Sequence, residues 1–295
     1  MRSNPDDRMP RRARRWASVA SLAGVALVSL SGCAGQGGGN WSRLGLPAPA
    51  SDRATHVLNL WQGAWIAAAC VGLLVWGLII WSVIAYRRRD DKIPPQTRYH
   101  LPIEILYSVV PFVIIGVLFY FTVRDQNAIL KVDRNDPPAN VIRVVGQQWS
   151  WTFNYLDRPG RAAPEAGAVW ESGTPDRLPT LYLPVGEKVG FQLESPDVIH
   201  SFFIPAFLFK MDVIPGHENY FELTPTKEGV FAGKCAELCG SYHARMLFNV
   251  HVVSREEFAE HLRELRARGQ TGEAVGGARA TTQHGLVSEA QGAAK

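Results

Sequence analysis

Two long apolar runs joined by a short basic loop constrain this chain more than any other feature. Val57 to Tyr86 contains no charged residue. At ~1.5 Å per helical residue it is long enough to cross a bilayer with some tilt. Ile103 to Val123 is the second run, apolar apart from Glu104, Tyr107, Ser108, Tyr120 and Thr122. Between them stand Arg87, Arg88, Arg89, Asp90, Asp91 and Lys92, with Arg98 a little further on. Short loops rich in Arg and Lys stay in the cytoplasm, so everything beyond about residue 125 is expected on the outer side. The expected spans are 56–86 and 103–124, with 87–102 as the cytoplasmic loop. A plain soluble globule is excluded.

The front of the chain agrees with that orientation. Arg2, Arg8, Arg11, Arg12, Arg14 and Arg15 form a basic stretch, and Trp16 to Leu30 is an uncharged run too short to span. Leu30-Ser31-Gly32-Cys33 looks like a lipobox, which makes residues 1–32 a lipoprotein-type signal peptide and Cys33 the lipidated first residue. An ordinary signal peptide with an incidental cysteine is the alternative. Residues 33–55, Gly-rich from Ala34 to Asn40, read as a tether. The chain has 295 residues, four cysteines, 20% charged residues and a net charge of +4. That is too little cysteine for a disulfide scaffold and too little charge for a nucleic-acid arm or an acidic disordered chain.

From residue 136 to 253 the pattern changes to short strand-like runs. Val141–Val145 leads into an alternation in which Gln147, Trp149, Trp151, Phe153 and Tyr155 share one face, as in a half-buried strand. Further runs at Thr180–Val185, Lys188–Glu194, Ser201–Ile204, Asn219–Thr224, Gly229–Lys234 and Leu247–Val253 predict an antiparallel β-sandwich. Asp157 to Leu178, rich in Gly, Pro and Ala, reads as a surface insertion. Ser254-Arg255-Glu256-Glu257 is a capping box opening a helix over 254–269, and residues 270–295 read as a disordered tail.

The richest chemistry lies in Cys235-Ala236-Glu237-Leu238-Cys239-Gly240-Ser241-Tyr242-His243-Ala244-Arg245-Met246. Two thiols, an imidazole and a thioether fall within these twelve residues, and His200, beside an earlier strand, supplies a fifth donor. Thiolate with thioether is a soft set that favours copper over magnesium, calcium or manganese. Zinc accepts the sulfurs and the histidine but has little use for methionine. A disulfide between Cys235 and Cys239, half of a zinc site, and simple packing of His243 and Met246 are the competing readings. A single blue-copper ion needs one cysteine, so two cysteines with two histidines are most economically read as two coppers bridged by both thiolates. Each copper then takes one imidazole, Met246 is a weak axial donor, and a backbone carbonyl serves the other ion. Such a centre does electron transfer, not hydrolysis. Cys70, inside a span, reads as a small apolar residue. Glu104, at the cytoplasmic mouth of the second span, is either an interfacial anchor or a proton-uptake group.

Two spans, an outer β domain and this donor set resemble subunit 2 of the haem-copper cytochrome c oxidases, over most of residues 55–255. The resemblance implies a two-helix transmembrane hairpin plus an all-β cupredoxin-like sandwich holding a binuclear Cu(A) centre on the bacterial cell membrane. It implies His200, Cys235, Cys239, His243 and Met246 as copper ligands. Glu237 adds its carbonyl, and its side chain reaches a magnesium ion shared with subunit 1. The run Gln147-Gln148-Trp149-Ser150-Trp151 looks like the strand whose first tryptophan receives electrons, implying Trp149; many members have histidine where Gln147 stands. Glu104, before Ile105-Leu106-Tyr107, looks like the glutamate at the mouth of a proton-uptake channel. Lys210-Met211-Asp212-Val213-Ile214-Pro215-Gly216 also fits the family. The lipobox, the insertion and Phe207-Leu208-Phe209-Lys210 look like actinobacterial members, whose oxidases associate with a cytochrome bc complex carrying attached c haems.

The implied function is to accept electrons from a c-type cytochrome and pass them to haem in subunit 1, where oxygen reduction is coupled to proton translocation. Residues 136–253 carry 13 Asp plus Glu against 9 Lys plus Arg, net −4, which suits a basic partner. A quinol oxidase subunit would lack the copper donors. A Cu(A)-bearing subunit of another respiratory reductase, and a membrane-anchored copper carrier, are the remaining alternatives; nucleic acid is not an expected partner.

Overall fold

A computed structural model describes residues 41–274 except 92, 94, 157–166 and 175. The expected signal peptide, Cys33 and the Gly-rich stretch to Asn40 lie outside the described residues, as do half of the expected insertion and 275–295. The chain divides into two compact units, Met1–Gly45 and Leu46–Lys295. In the first, the described residues form one 3₁₀ turn, Trp41–Arg43.

In the second unit the two apolar runs are helical because a helix satisfies its backbone polar groups within the segment, which lipid cannot do, and it accommodates Gly63, Gly72, Gly77, Gly116 and Pro111. Helix α1 spans Ala54–Ala85 and α2 spans Leu101–Ile129. No residue in the most apolar stretch of either helix is buried, and Leu73 and Phe112 are about three-quarters exposed. Side chains this apolar all round require lipid or partner helices around them. Both helices run past the apolar runs at the sandwich end, where polar contacts extend them. Ser51 Oγ accepts from Ala54 N at 3.2 Å to start α1. Near the end of α2, buried Asp125 accepts from Arg124 and lies 3.5 Å from His56 Nδ1 of α1.

Among the described residues ten strands build two five-stranded sheets: β1 Asn140–Gln147, β2 Ser150–Leu156, β3 Val169–Ser172, β4 Thr180–Pro184, β5 Val189–Glu194, β6 His200–Ile204, β7 Phe209–Val213, β8 Asn219–Leu223, β9 Gly229–Cys235 and β10 Leu247–Val253. The sheet orders are β3-β2-β1-β5-β8 and β4-β10-β9-β6-β7. The inner faces meet in an aromatic core. Phe202 and Phe248 stack at 5.0 Å, Phe191 and Phe221 at 4.8 Å, and Trp151 meets Phe202 and Phe248 edge-on.

The sandwich departs from the sequence reading in four places. First, it is not wholly antiparallel, because β1 pairs with β5 and β4 with β10 in parallel, across long connections. Second, β3 forms within the expected insertion, where Thr152–Ser172 and Asn154–Trp170 pairing extends the sheet. Third, Gln147 to Tyr155 is not one strand. The chain reverses at Gln148–Trp149, and Gln147 pairs with Ser150. A two-residue reversal shifts the alternation by one, so Gln147 shares a face with Ser150, Thr152 and Asn154, while Trp151, Phe153 and Tyr155 face the core. Fourth, that outer face is also buried. Residues 270–274, expected in the tail, lie across it. Asn154 Oδ1 accepts from Ala274 N at 2.6 Å, Asn154 Nδ2 donates to Ala274 O at 3.0 Å, and Arg143 pairs with Glu273.

The last residues of the expected tether are likewise sewn to the sandwich. Ala50 N donates to Ala206 O at 2.9 Å, Asp52 N to Thr224 O at 3.0 Å, and Asp52 Oδ1 accepts from Thr224 N at 2.8 Å. Arg53 donates to the carbonyls of Glu222 (3.3 Å) and Lys131 (3.2 Å) and to that of Ala128.

Helix α3, Arg255–Ala267, begins at Ser254, whose Oγ accepts from Glu257 N at 3.2 Å, and covers the sandwich with Phe258, His261 and Leu265. His261 is 7% exposed and stacks on Tyr182 at 3.7 Å, and its Nε2 has no hydrogen-bond partner among the described residues. Burial, then the charges of Arg268 and His251, push its pKa down to about 4. The unfolded chain therefore binds a proton near 6.5 that the folded chain refuses until about 4. The full chain in detergent is expected to lose thermal stability as pH falls through that window, and His261→Phe is expected to flatten the loss. An identical pH profile in the variant contradicts this assignment.

Candidate metal centre

The cysteine-bearing loop is shaped by the strands at its base. Strands β9 and β10 pair with Lys234 opposite Leu247, and Cys235 N donates to Met246 O at 2.9 Å. The ten residues between therefore form a closed loop, tightened by a 3₁₀ turn at His243–Arg245. Strand β6 pairs with β9 so that Phe202 lies opposite Cys235, and Ala236 N donates to Ser201 O at 3.0 Å. This register brings His200, two residues earlier, onto Cys235.

The donor atoms follow one another at nearly constant spacing. His200 Nδ1 is 4.0 Å from Cys235 Sγ, Cys235 Sγ is 3.9 Å from Cys239 Sγ, and Cys239 Sγ is 3.6 Å from His243 Nδ1. Met246 Sδ lies 3.7 Å from Cys239 Sγ, and the Glu237 carbonyl 3.2 Å from Cys235 Sγ. Two donors on one metal at 2.0–2.3 Å and near-tetrahedral angles stand about 3.5 Å apart, so the spacing suits shared metal ligation. Both cysteines are free, with sulfurs well beyond bonding distance. His200 and Met246 are fully buried, and Cys235 and Cys239 almost so.

Around the donors sits a second group of polar contacts. Asp197 Oδ1 lies 2.9 Å from His200 Nε2, which leaves Nδ1 facing the sulfurs, and Asp197 Oδ2 accepts from Gln148 N at 2.7 Å. Trp151 Nε1 donates to Met246 O at 3.3 Å. Burial lowers the His200 pKa, but the bonds to Asp197 and Cys235 outweigh it and the net shift is upward. Burial raises Asp197, yet hydrogen bonds from His200 and the Gln148 and Val198 amides hold it below the carboxylate range. For Cys235, burial is overcome by the bond to His200 and by neighbouring backbone, and its pKa falls to about 6. Cys239 is pushed up to about 12, by burial and by the adjacent Cys235 charge.

The structure thus brings His200, Cys235, Cys239, His243, Met246 and the Glu237 carbonyl together. Trp149 abuts them, its Nε1 donating to Cys239 O at 3.2 Å and its ring meeting Tyr242 edge-on at 5.0 Å. The Glu237 side chain is exposed, and His200, Cys235 and Cys239 are the group of potential ligands that gathers among the described residues. Glu104 lies elsewhere, in the first turn of α2, where its Oε1 accepts from His100 N at 2.8 Å. Sequence reasoning missed Asp197 and Gln148. The Ser195-Pro196-Asp197 turn before His200 was the available signal for the first, and nothing local marks the second.

Comparison with known proteins covers both parts of the chain. The family model for the periplasmic domain of cytochrome c oxidase subunit II matches residues 140–253, and that for its transmembrane domain matches 39–123. A probable cytochrome c oxidase subunit 2 of Streptomyces coelicolor is 48% identical, over 92% of this chain and 94% of its own. Cytochrome c oxidase subunit 2 of Mycobacterium tuberculosis is 35% identical, over 89% and 85%. Among solved structures, the periplasmic domain of subunit II of the Bradyrhizobium japonicum cytochrome oxidase is 31% identical. It covers 45% of this chain and 97% of its own, with a TM-score of 0.39.

The acid–base state of the donors has a measurable consequence. Ligation needs thiolate sulfur, so metal must displace the proton that Cys239 holds at pH 7. Copper loading of the full chain at pH 7 is expected to release at least about one proton per site, with apparent affinity rising with pH. Proton-neutral loading contradicts the assigned shifts.

Proposed function

The chain belongs to the cytochrome c oxidase subunit II family, and on that premise we propose that it is the electron-accepting subunit of its haem-copper oxidase, built around a binuclear Cu(A) centre. It is membrane-anchored by α1 and α2, with the cupredoxin-like sandwich on the extracytoplasmic side. The observation that carries the reading is the row His200, Cys235, Cys239, His243, with the two sulfurs in the middle and an imidazole at each end. In this reading Cys235, Cys239, His200 and His243 would hold the copper pair, with Met246 and the Glu237 carbonyl as the further donors. When bound, the copper pair supplies one-electron exchange between a c-type cytochrome and haem in subunit 1, where oxygen is reduced with proton translocation.

The chain's own residues do the positioning. Strand register and the closed loop hold the donors in place, which keeps rearrangement on electron transfer small. Asp197 fixes the orientation of His200, a common outer partner of a ligating imidazole. Trp149 takes electrons from the cytochrome, being half-buried and one hydrogen bond from a ligand residue. The net acidic outer domain attracts a basic donor, including attached c haems of a cytochrome bc complex. Glu104 serves proton uptake at the cytoplasmic mouth while capping α2, the exposed Glu237 carboxylate meets a magnesium ion at the subunit 1 boundary, and Cys33 carries lipid. A copper carrier would need exposed, exchangeable ligands, which the burial of four of the five donor side chains disfavours.

Two measurements test this. The copper-loaded oxidase is expected to give an electron paramagnetic resonance spectrum of two coppers sharing one unpaired electron; a single-copper or zinc-only product contradicts the reading. Trp149→Phe is expected to slow reduction by a c-type cytochrome by an order of magnitude or more with that spectrum intact. Unchanged reduction removes the role of Trp149.

A further inference from the structure

We propose that Gln148 is the positioning residue that holds Trp149 against the metal loop, a role that rests on Trp149 receiving electrons. The two turn residues Gln148 and Trp149 lie between β1 and β2, outside the pairing ladder. What holds them is a pair of clamps, one on each ligand-bearing segment. On one side Gln148 N donates to Asp197 Oδ2 at 2.7 Å, and the other oxygen of that carboxylate meets His200 Nε2 at 2.9 Å. On the other side Gln148 Nε2 donates to Cys239 O at 2.7 Å, beside the indole Nε1 of Trp149 on the same oxygen at 3.2 Å. Gln148 is thus joined to both segments that supply ligands, the 195–200 turn and the 235–246 loop.

The space around the turn is fitted to this clamp. A Cβ on Gly240 would stand 3.1 Å from Gln148 Nε2 and 3.1 Å from the Trp149 indole, and Gly240 has φ +122°, so the turn rests directly on loop backbone. Tyr242 closes the far side of the Trp149 ring, edge-on at 5.0 Å. With the amide in place the indole N–H is aimed at the carbonyl oxygen of Cys239, four covalent bonds from that residue's sulfur. A carbonyl oxygen has two lone pairs, and both donors here come from the turn. Removing the amide leaves the carbonyl still paired with the indole, so the cost falls on the placement of the turn and not on a stranded polar group.

The test uses the full chain in detergent micelles, reduced and copper-loaded, with ¹⁵N-indole labelling. Trp149 is identified by the signal lost in Trp149→Phe. Gln148→Leu, similar in bulk but unable to donate, is expected to speed solvent exchange of the Trp149 indole proton about tenfold. It is expected to slow reduction by a c-type cytochrome by a similar factor and to leave the copper spectrum unchanged. If the leucine variant does not fold, Gln148→Ala carries the same readings. Unchanged indole exchange, or loss of copper from the site, overturns the proposal. So does faster exchange with unchanged reduction where Trp149→Phe does slow it. Unchanged reduction in both variants instead removes the reading of Trp149 as electron acceptor, and indole exchange alone then decides whether Gln148 holds the turn.

Discussion

A single backbone hydrogen bond, Cys235 N to Met246 O, closes the loop that holds four of the five donor side chains. It is the last rung of the β9–β10 ladder, so the first and last donors of the loop are fixed by sheet register and not by the loop itself. The fifth donor comes under the same control, since β6 pairs with β9 two residues from His200. A one-residue slip in either pairing would turn a donor to the opposite face and dismantle the cluster. The aromatic core below guards against that slip, because Phe202 and Phe248 stack from those same strands and Trp151 reaches Met246 O.

Placing such a cluster at a membrane requires the sandwich to sit firmly on its anchor. The residues just before α1 provide this by bonding to the 206–207 and 222–226 segments, and Arg53 adds carbonyls from the end of α2 and the segment after it. The anchoring helices have no amphipathic face, being apolar all round through their most apolar stretches. Polar residues accordingly concentrate at their ends, with His56, Arg124 and Asp125 at the sandwich side and Glu104 at the other.

Much of this was legible in the chain itself, and what was not had a common cause. The spans are visible because bilayer thickness sets a length that few soluble segments meet. The donors are visible because two thiols, a thioether and an imidazole in twelve residues have little other use. The turn at Gln148–Trp149 was hidden because alternation of large and small side chains runs through the reversal unbroken, although the faces exchange there. Strand β3 and residues 270–274 were hidden because their value lies in pairing with β2 across a long sequence interval, by polar groups with no periodic signal. Gln148 belongs to the same class, since the Cys239 carbonyl it holds is 91 positions away, whereas Asp197 acts on His200 only three residues on. Local pattern reports composition and period, whereas second-layer polar contacts depend on the finished fold.

The most direct measurement of the central claim is X-ray absorption at the copper edge on the full chain alone, copper-loaded in detergent, so that no copper of another oxidase subunit contributes. The account predicts a shell of sulfur and nitrogen around each copper, with a second copper as near neighbour, and its disappearance in Cys235→Ser. A copper surrounded only by oxygen and nitrogen, or copper with no metal neighbour, contradicts it.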